Sequence, residues 1–209
     1  GLPFWEDLDA HPQIGAGFDA LMGPAGHGTP DPEVVVSGDW AGVRHVVDVG
    51  GGTGTLLAEI LKARTDITGT LVDLPRTVAR SAEVFAAAGV SERVTTVAQS
   101  FFEPLPARAD LYLLTKVIND WPDLEATAIL RGCAVAARPN GRVVVTGGVA
   151  ADDAPGGLVI EMILVGGKQR SLTTFRELAA AAGLEVRAAG LLPSGRFAVE
   201  CQPVLPVTG

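Results

Sequence analysis

Lysine is scarce in this chain: only Lys62, Lys116 and Lys168 occur among 209 residues, and the net charge is −8. No basic run and no aromatic-plus-basic stripe interrupts the acidic balance. Nucleic acid is therefore not an expected partner, because phosphate backbones are held by clustered Lys and Arg. An acidic surface mainly favours solubility and says little about substrate. No apolar run reaches the roughly 18 residues that a bilayer span needs; the longest, near 158–165, is interrupted by Glu161. No charged segment followed by an apolar stretch marks a secretory signal. No membrane partner is expected, and a cytoplasmic location follows by default. Cysteine is also rare. Cys133 and Cys201 lie in apolar stretches and read as buried free thiols of a reducing compartment rather than as a disulfide. No Cys/His cluster has metal-ligand spacing, and Asp152-Asp153 reads as a solvated loop, so no metal is implied.

What is present is a globular composition, 47% apolar and 19% charged, long enough for one α/β domain with its own core. The chain opens on Gly1 rather than Met and enters "LPFWEDL" at once, which predicts a piece of something longer. Residues 3–22 look helical, with a break near Pro12. Residues 23–38 are rich in Gly and Pro and read as a loop. Strands and helices then alternate. Strands are predicted at 45–50, 69–74, 93–99, 109–115 and 142–148, and helices at 55–64, 77–89 and 123–138. Gly89 suits a helix C-terminus and Asp123 a cap. "GLVIEMILVGG" (157–167) reads as helical. Thr174 and Glu177 fit a capping box for a helix at 175–182 that Gly183 ends. Segments 184–190 and 196–201 look like a closing hairpin. The alternation predicts a mostly parallel sheet covered on both faces, with one antiparallel strand from that hairpin.

"DVGGGTGTL" joins the first strand to the first helix. Its glycines let backbone approach a ligand closely, with helix N–H groups facing it. The dinucleotide spacing G-x-G-x-x-G fails here, because Thr55 and Leu57 stand where the third glycine would be. The fit is G-x-G-x-G at Gly50, Gly52 and Gly54. No Gly-Lys-Ser/Thr follows, so a Walker loop is excluded. Asp73 ends the second strand, where a carboxylate can accept both ribose hydroxyls of an adenosine ligand. Asp48 precedes the glycines and either holds an ammonium or orders the loop. A nicotinamide oxidoreductase fails on the glycine spacing and on the lack of Tyr-x-x-x-Lys, the single tyrosine, Tyr112, lying inside a strand. "WPD" also marks an acid loop in tyrosine phosphatases. Those need Cys-x5-Arg, and Cys133 to Arg138 is one residue short, inside a predicted helix.

"VVDVGGGTG", "LVDLP", "QSFFEPLP", "KVINDWPD", "PNGRVVV" and "GGKQRSLTTFRELAAAAGLE", in this order, resemble the class I S-adenosylmethionine-dependent methyltransferases. The closer match is to the small-molecule O-methyltransferases that include plant caffeic-acid and bacterial polyketide and antibiotic-tailoring enzymes. The resemblance covers nearly the whole chain. It implies a Rossmann-like, doubly wound, seven-stranded sheet, with S-adenosyl-L-methionine as cofactor and S-adenosyl-L-homocysteine as product. Residues 1–38 would lead into the domain, 39–203 would bind the cofactor and 204–209 would form a tail. The family's N-terminal dimerisation domain is absent from these residues, and a homodimer is expected where it is present. By the resemblance, Asp48, Gly50 and Gly52 line the methionine end and Asp73 holds the ribose. Leu74 and Phe101 flank the adenine, Ser100 sits near its amino group, and Thr115 and Trp121 close the pocket. For Phe101 and Trp121, ordinary core packing is the competing reading.

The family's usual base is the His of "HDW". Here the triplet is Asn119-Asp120-Trp121, and none of His11, His27 or His45 falls at an equivalent place. The acidic position of the plant "GGKER" segment carries Gln169. Neither amide takes a proton at neutral pH. Three readings stand. The first is an O-methyltransferase of a small aromatic secondary metabolite in which Asn119 hydrogen-bonds the acceptor and positioning and desolvation carry the rate. The second binds the cofactor but hydroxylates or decarboxylates. The third is catalytically silent. Asp120 is a candidate replacement base, against a structural role. Phe18, Met22, Asn119, Met162 and Ile163 would line the acceptor pocket, with ordinary core the equal alternative for Met162 and Ile163.

Overall fold

The alternation in the sequence is the alternation in space. A computed structural model describes residues 10, 11, 13, 14, 30–154 and 167–205. The strands are β1 (His45–Val49), β2 (Thr68–Asp73), β3 (Val94–Ala98), β4 (Leu111–Thr115), β5 (Arg142–Thr146), β6 (Val149–Ala150), β7 (Arg170–Ser171), β8 (Leu184–Leu191) and β9 (Phe197–Pro203). The helices are α1 (Thr55–Ala63), α2 (Pro75–Val78), α3 (Ser81–Ala88), α4 (Asp123–Ala136) and α5 (Leu172–Ala181). Single 3-10 turns occupy Ser91–Arg93 and Ile118–Asp120. The main sheet has seven strands in the order β3-β2-β1-β4-β5-β9-β8. β1 to β5 are parallel, and β9 runs antiparallel to both β5 and β8. The doubly wound α/β sheet with one antiparallel strand is the architecture expected.

Both faces of the central strands are buried, so the side chains divide by parity. Val47, Tyr112, Leu114, Val143 and Val145 face one core with Ile129, Leu130 and Cys133 of α4 and Phe175 of α5. Val46, Leu111, Leu113 and Val144 face the other, with Leu57, Ile60 and Leu61 of α1 and Phe85 of α3. Cys133 and Cys201 are free and buried, and burial pushes both thiols up to about 12. The Tyr112 hydroxyl donates to the Pro106 carbonyl at 2.6 Å and accepts from Ala109 N–H at 3.2 Å, which ties the approach to β4.

Four local expectations are corrected. The helix expected at 77–89 is two helices. Pro75 starts α2 at its first position, where the missing N–H costs nothing, and the chain breaks before Ser81. Gly89 does close α3 in the left-handed conformation. The strand expected at 142–148 ends at Thr146, because Gly147 and Gly148 turn the chain at positive φ into β6, which pairs in parallel with β7. α5 begins at Leu172, and its cap is Ser171, whose side chain accepts from Thr174 N–H; Thr174 is therefore inside the first turn. Asp123 caps nothing: α4 follows Pro122 without a side-chain cap, and the Asp123 carboxylate is used elsewhere. The helices expected at 3–22 and 157–167 lie outside the described residues, apart from the few residues named above.

Candidate active site

The strand order reverses between β1 and β4, and open α/β sheets bind ligands in the crevice at such a point, beyond the carboxyl ends of the strands. Three segments meet there. A Cβ placed on Gly50 would lie 2.9 Å from Val117 Cγ2 and 3.4 Å from the Phe101 ring. The glycine loop after β1, the segment after β3 and the turn after β4 are thus in contact.

Asp48 lies beneath the loop, 1% exposed, and neither of its carboxylate oxygens has a hydrogen-bond partner. A Cβ on Gly51 would lie 2.5 Å from its Cγ, so only glycine lets the loop close over the acid. Burial first, and then the Asp73 charge, push the Asp48 carboxyl up to about 7. Asp73 is placed differently. It accepts from Gly52 N–H at 2.8 Å and from Leu74 N–H at 2.7 Å, and so holds the loop against the end of β2. A desolvated acid without partners favours a cationic ligand, and a half-buried acid at a strand end favours hydroxyls.

Across the loop, Phe101 and Trp121 meet edge to face at 5.9 Å, and Phe102 meets Trp121 at 4.9 Å. Phe102 is 46% exposed, which leaves this aromatic corner open to solvent. The Ser100 hydroxyl accepts from Phe102 N–H at 3.3 Å, and Thr115 at the end of β4 accepts from Thr146 at 3.0 Å.

Asn119 sits on the 3-10 turn after β4 and is 9% exposed. Its Nδ2 donates to Asp120 Oδ1 at 2.7 Å, while its Oδ1 is buried with no partner. Burial raises the Asp120 carboxyl to about 6, against the opposing pull of the Lys116 ammonium. Lys116 has φ 55, an uncommon conformation for a side-chain-bearing residue, and its pKa is lowered, chiefly by burial. Gln169 is exposed. Phe18, Met22, Met162 and Ile163 lie outside the described residues. Among the described residues no group of three or more His, Cys, Asp or Glu is arranged to hold a metal ion.

The sequence does not mark Arg170 or Asp123 as site residues, yet Arg170 donates to the Ile118 carbonyl of this turn and Asp123 accepts from Arg170. The sequence offers only a Lys-x-Arg pair at 168–170 and an acid at the start of a helix 45 residues earlier, with nothing to join them.

A family model described as the O-methyltransferase domain matches residues 2–185. The 2,7-dihydroxy-5-methyl-1-naphthoate 7-O-methyltransferase of Streptomyces carzinostaticus is 47% identical over 192 residues, which cover 90% of this chain and 57% of that protein. The aclacinomycin 10-hydroxylase RdmB of Streptomyces purpurascens is 43% identical over 150 residues, 69% of this chain and 38% of that one. The structure of the O-methyltransferase NcsB1 of neocarzinostatin biosynthesis, with S-adenosylmethionine and 2-hydroxy-5-methyl naphthoic acid bound, superposes with a TM-score of 0.86 at 43% identity. That match covers 98% of this chain and 62% of the other, so the chain spans less than two thirds of these relatives. The chain belongs to the O-methyltransferase domain family.

Proposed function

We propose that the protein transfers a methyl group from S-adenosyl-L-methionine to a hydroxyl of a small aromatic secondary metabolite, in antibiotic biosynthesis, with Asn119 orienting the acceptor. The observation that carries this reading is the divided state of the Asn119 amide: Nδ2 is committed to Asp120, and the buried Oδ1 has no partner. Only a donor satisfies that oxygen, and a neutral hydroxyl is such a donor.

The residues present fit the cofactor. Asp48 is an unpartnered buried acid for the ammonium of the methionine part, and Asp73 stands at the strand end for the ribose hydroxyls. Leu74 and Phe101 would flank the adenine with Ser100 near its amino group, Gly50 and Gly52 would line the methionine side, and Thr115 and Trp121 would close the pocket. When bound, S-adenosyl-L-methionine supplies an activated sulfonium methyl and leaves as S-adenosyl-L-homocysteine. In the chain's own steps, Asn119 Oδ1 holds the acceptor O–H so that an oxygen lone pair is free for the methyl. Asp120 keeps the amide from turning over. The hydroxyl proton leaves to bulk solvent after the transfer, because an amide cannot take it. General-base help is worth about 10²–10⁴-fold, so its loss leaves positioning and exclusion of water as the main sources of rate. Phe18, Met22, Met162 and Ile163 are assigned to the acceptor wall on the family resemblance.

Calorimetry with S-adenosyl-L-methionine, with NADH as control, tests the cofactor. A panel of hydroxynaphthoates, including 2,7-dihydroxy-5-methyl-1-naphthoate, tests the acceptor. Asn119→Ala is expected to lower kcat by about 10- to 100-fold with cofactor affinity unchanged. Asn119→His is expected to add a pH dependence near the ordinary imidazole pKa. An Asn119→Ala variant as fast as the native protein would remove Asn119 from the reaction.

A second reading is favoured by one observation, the similarity to a protein named as a hydroxylase. Mass spectrometry of the product separates the two: gain of a methyl group supports transfer, and gain of an oxygen atom supports hydroxylation. The proposal extends to a cytoplasmic enzyme that dimerises where the family's N-terminal region is present, which sedimentation of such a protein would test.

A further inference from the structure

Arg170 stands on the two-residue strand β7, and its backbone N–H donates to Gly148 O at 2.8 Å. Its side chain is fully buried. One terminal nitrogen donates to the Ile118 carbonyl at 2.8 Å and the other to the Trp121 carbonyl at 2.7 Å. Nε donates to Asp123 Oδ1 at 2.9 Å, while Lys168 holds Asp123 Oδ2 at 2.6 Å. The two carbonyls belong to the residues that flank Asn119 and Asp120 on either side. Two glycines press on the same turn. A Cβ on Gly148 would lie 2.8 Å from Asn119 Cβ, and a Cβ on Gly167 would collide with the Asn119 carbonyl oxygen. Asn119 is thus held by a fork at both ends and by bare backbone on its flanks.

We propose that Arg170 is the positioning residue of the acceptor side: its buried guanidinium clamps the carbonyls that bracket Asn119-Asp120 and so sets where the Asn119 amide oxygen lies. This inference rests on the methyltransferase reading above. A guanidinium buried this deeply carries a desolvation cost, which its partners must offset. Those partners are not spread through the core. They are the carbonyls of one turn, the anion at the start of α4 and, through a longer contact at 3.4 Å, the Lys168 carbonyl. Only Arg offers a planar fork that can meet diverging acceptors at once; a lysine ammonium is a single point.

The test compares Arg170→Lys with the native protein in three measurements. Hydrogen exchange of the peptide 116–123 reads the clamp directly, calorimetry reads cofactor affinity, and kcat and KM are read with a hydroxynaphthoate. Arg170→Lys is expected to speed exchange across Ile118–Trp121 and to lower kcat by about 10- to 100-fold. Cofactor Kd should move by a smaller factor than kcat, since the glycine loop and the two acids are untouched and only Trp121 of the proposed cofactor contacts lies on the clamped segment. Should Arg170→Lys fail to fold, Asp123→Asn decides: it removes the anion on Nε but leaves both carbonyl bonds. It should speed the same exchange and lower kcat by about three- to tenfold. Native exchange and native kcat in the variant would overturn the proposal. So would equal losses in cofactor affinity and kcat, which would make Arg170 a general scaffold group. A native protein that does not bind S-adenosyl-L-methionine sinks the methyltransferase reading, while the exchange comparison still decides whether the clamp exists.

Discussion

Asp48 shows how a single buried acid can cost the folded state stability. Its folded pKa of about 7 lies above the ordinary 3.8, so the folded chain holds a proton that the unfolded chain releases. The folded state is therefore favoured below this window, and stability falls as pH rises from about 4 to about 7. Asp48→Asn removes the buried charge at constant shape. It is expected to raise the melting temperature of the ligand-free protein at about pH 8, with little change at about pH 3, below the unfolded carboxyl's range. The same variant should lose cofactor affinity. In the native protein that affinity should weaken as pH drops through about 7, because a protonated Asp48 no longer attracts an ammonium. Calorimetry and thermal melts across pH read both effects, and a higher melting temperature with affinity intact would remove Asp48 from the site. At this scale the sequence was readable where a residue's partners are its neighbours. Asp48 and Asp73 are legible because a glycine loop and a strand end announce them. Arg170 was not, because its carbonyl partners lie 52 and 49 residues earlier in the chain. Asp123 looked like a cap because local pattern favours that use, and Lys168 and Arg170 outbid the backbone for its oxygens.

Among the elements, α1 and α3 are set by one glycine. Gly54 precedes α1 at φ 82, and a Cβ there would run into the ring of Phe85 on α3. Gly54→Ala meets two penalties: a left-handed backbone that resists a side chain, and a buried ring that must move. Together they are expected to cost about 2–4 kcal/mol in denaturant unfolding. Pairing it with Phe85→Leu should recover the steric part and leave the backbone part, so a double-mutant cycle separates them. Strands and helices with sustained periodicity were legible in sequence. What escaped was what periodicity does not encode: the break between α2 and α3, and the β6–β7 ribbon, whose two-residue strands give no pattern to read. The ribbon exists because Gly147 and Gly148 turn the chain and Arg170 gives its N–H to Gly148 O.

For the whole molecule, the mostly parallel seven-stranded sheet with its antiparallel strand and the family were both legible, since the ordered motifs span nearly the entire chain and the strands bury both faces. Of the expected acceptor wall, Phe18, Met22, Met162 and Ile163 lie outside the described residues, and in sequence Met162 and Ile163 read equally well as core. A ligand that binds only the folded state must also stabilise the molecule as a unit. At about 100 times its Kd, S-adenosyl-L-methionine should add about 2.7 kcal/mol and raise the melting temperature by roughly 5–10 °C, with NADH giving no shift. Unchanged melting with both ligands would count against the cofactor pocket.

The β6–β7 ribbon divides labour within the fold. The glycine loop, Asp48 and Asp73 are built on β1 and β2 in the main sheet, whereas Asn119 hangs from a turn that β7 and two glycines brace from outside that sheet. Substitutions in the ribbon and its turn can therefore shift Asn119 without touching the backbone that carries the glycine loop and the two acids.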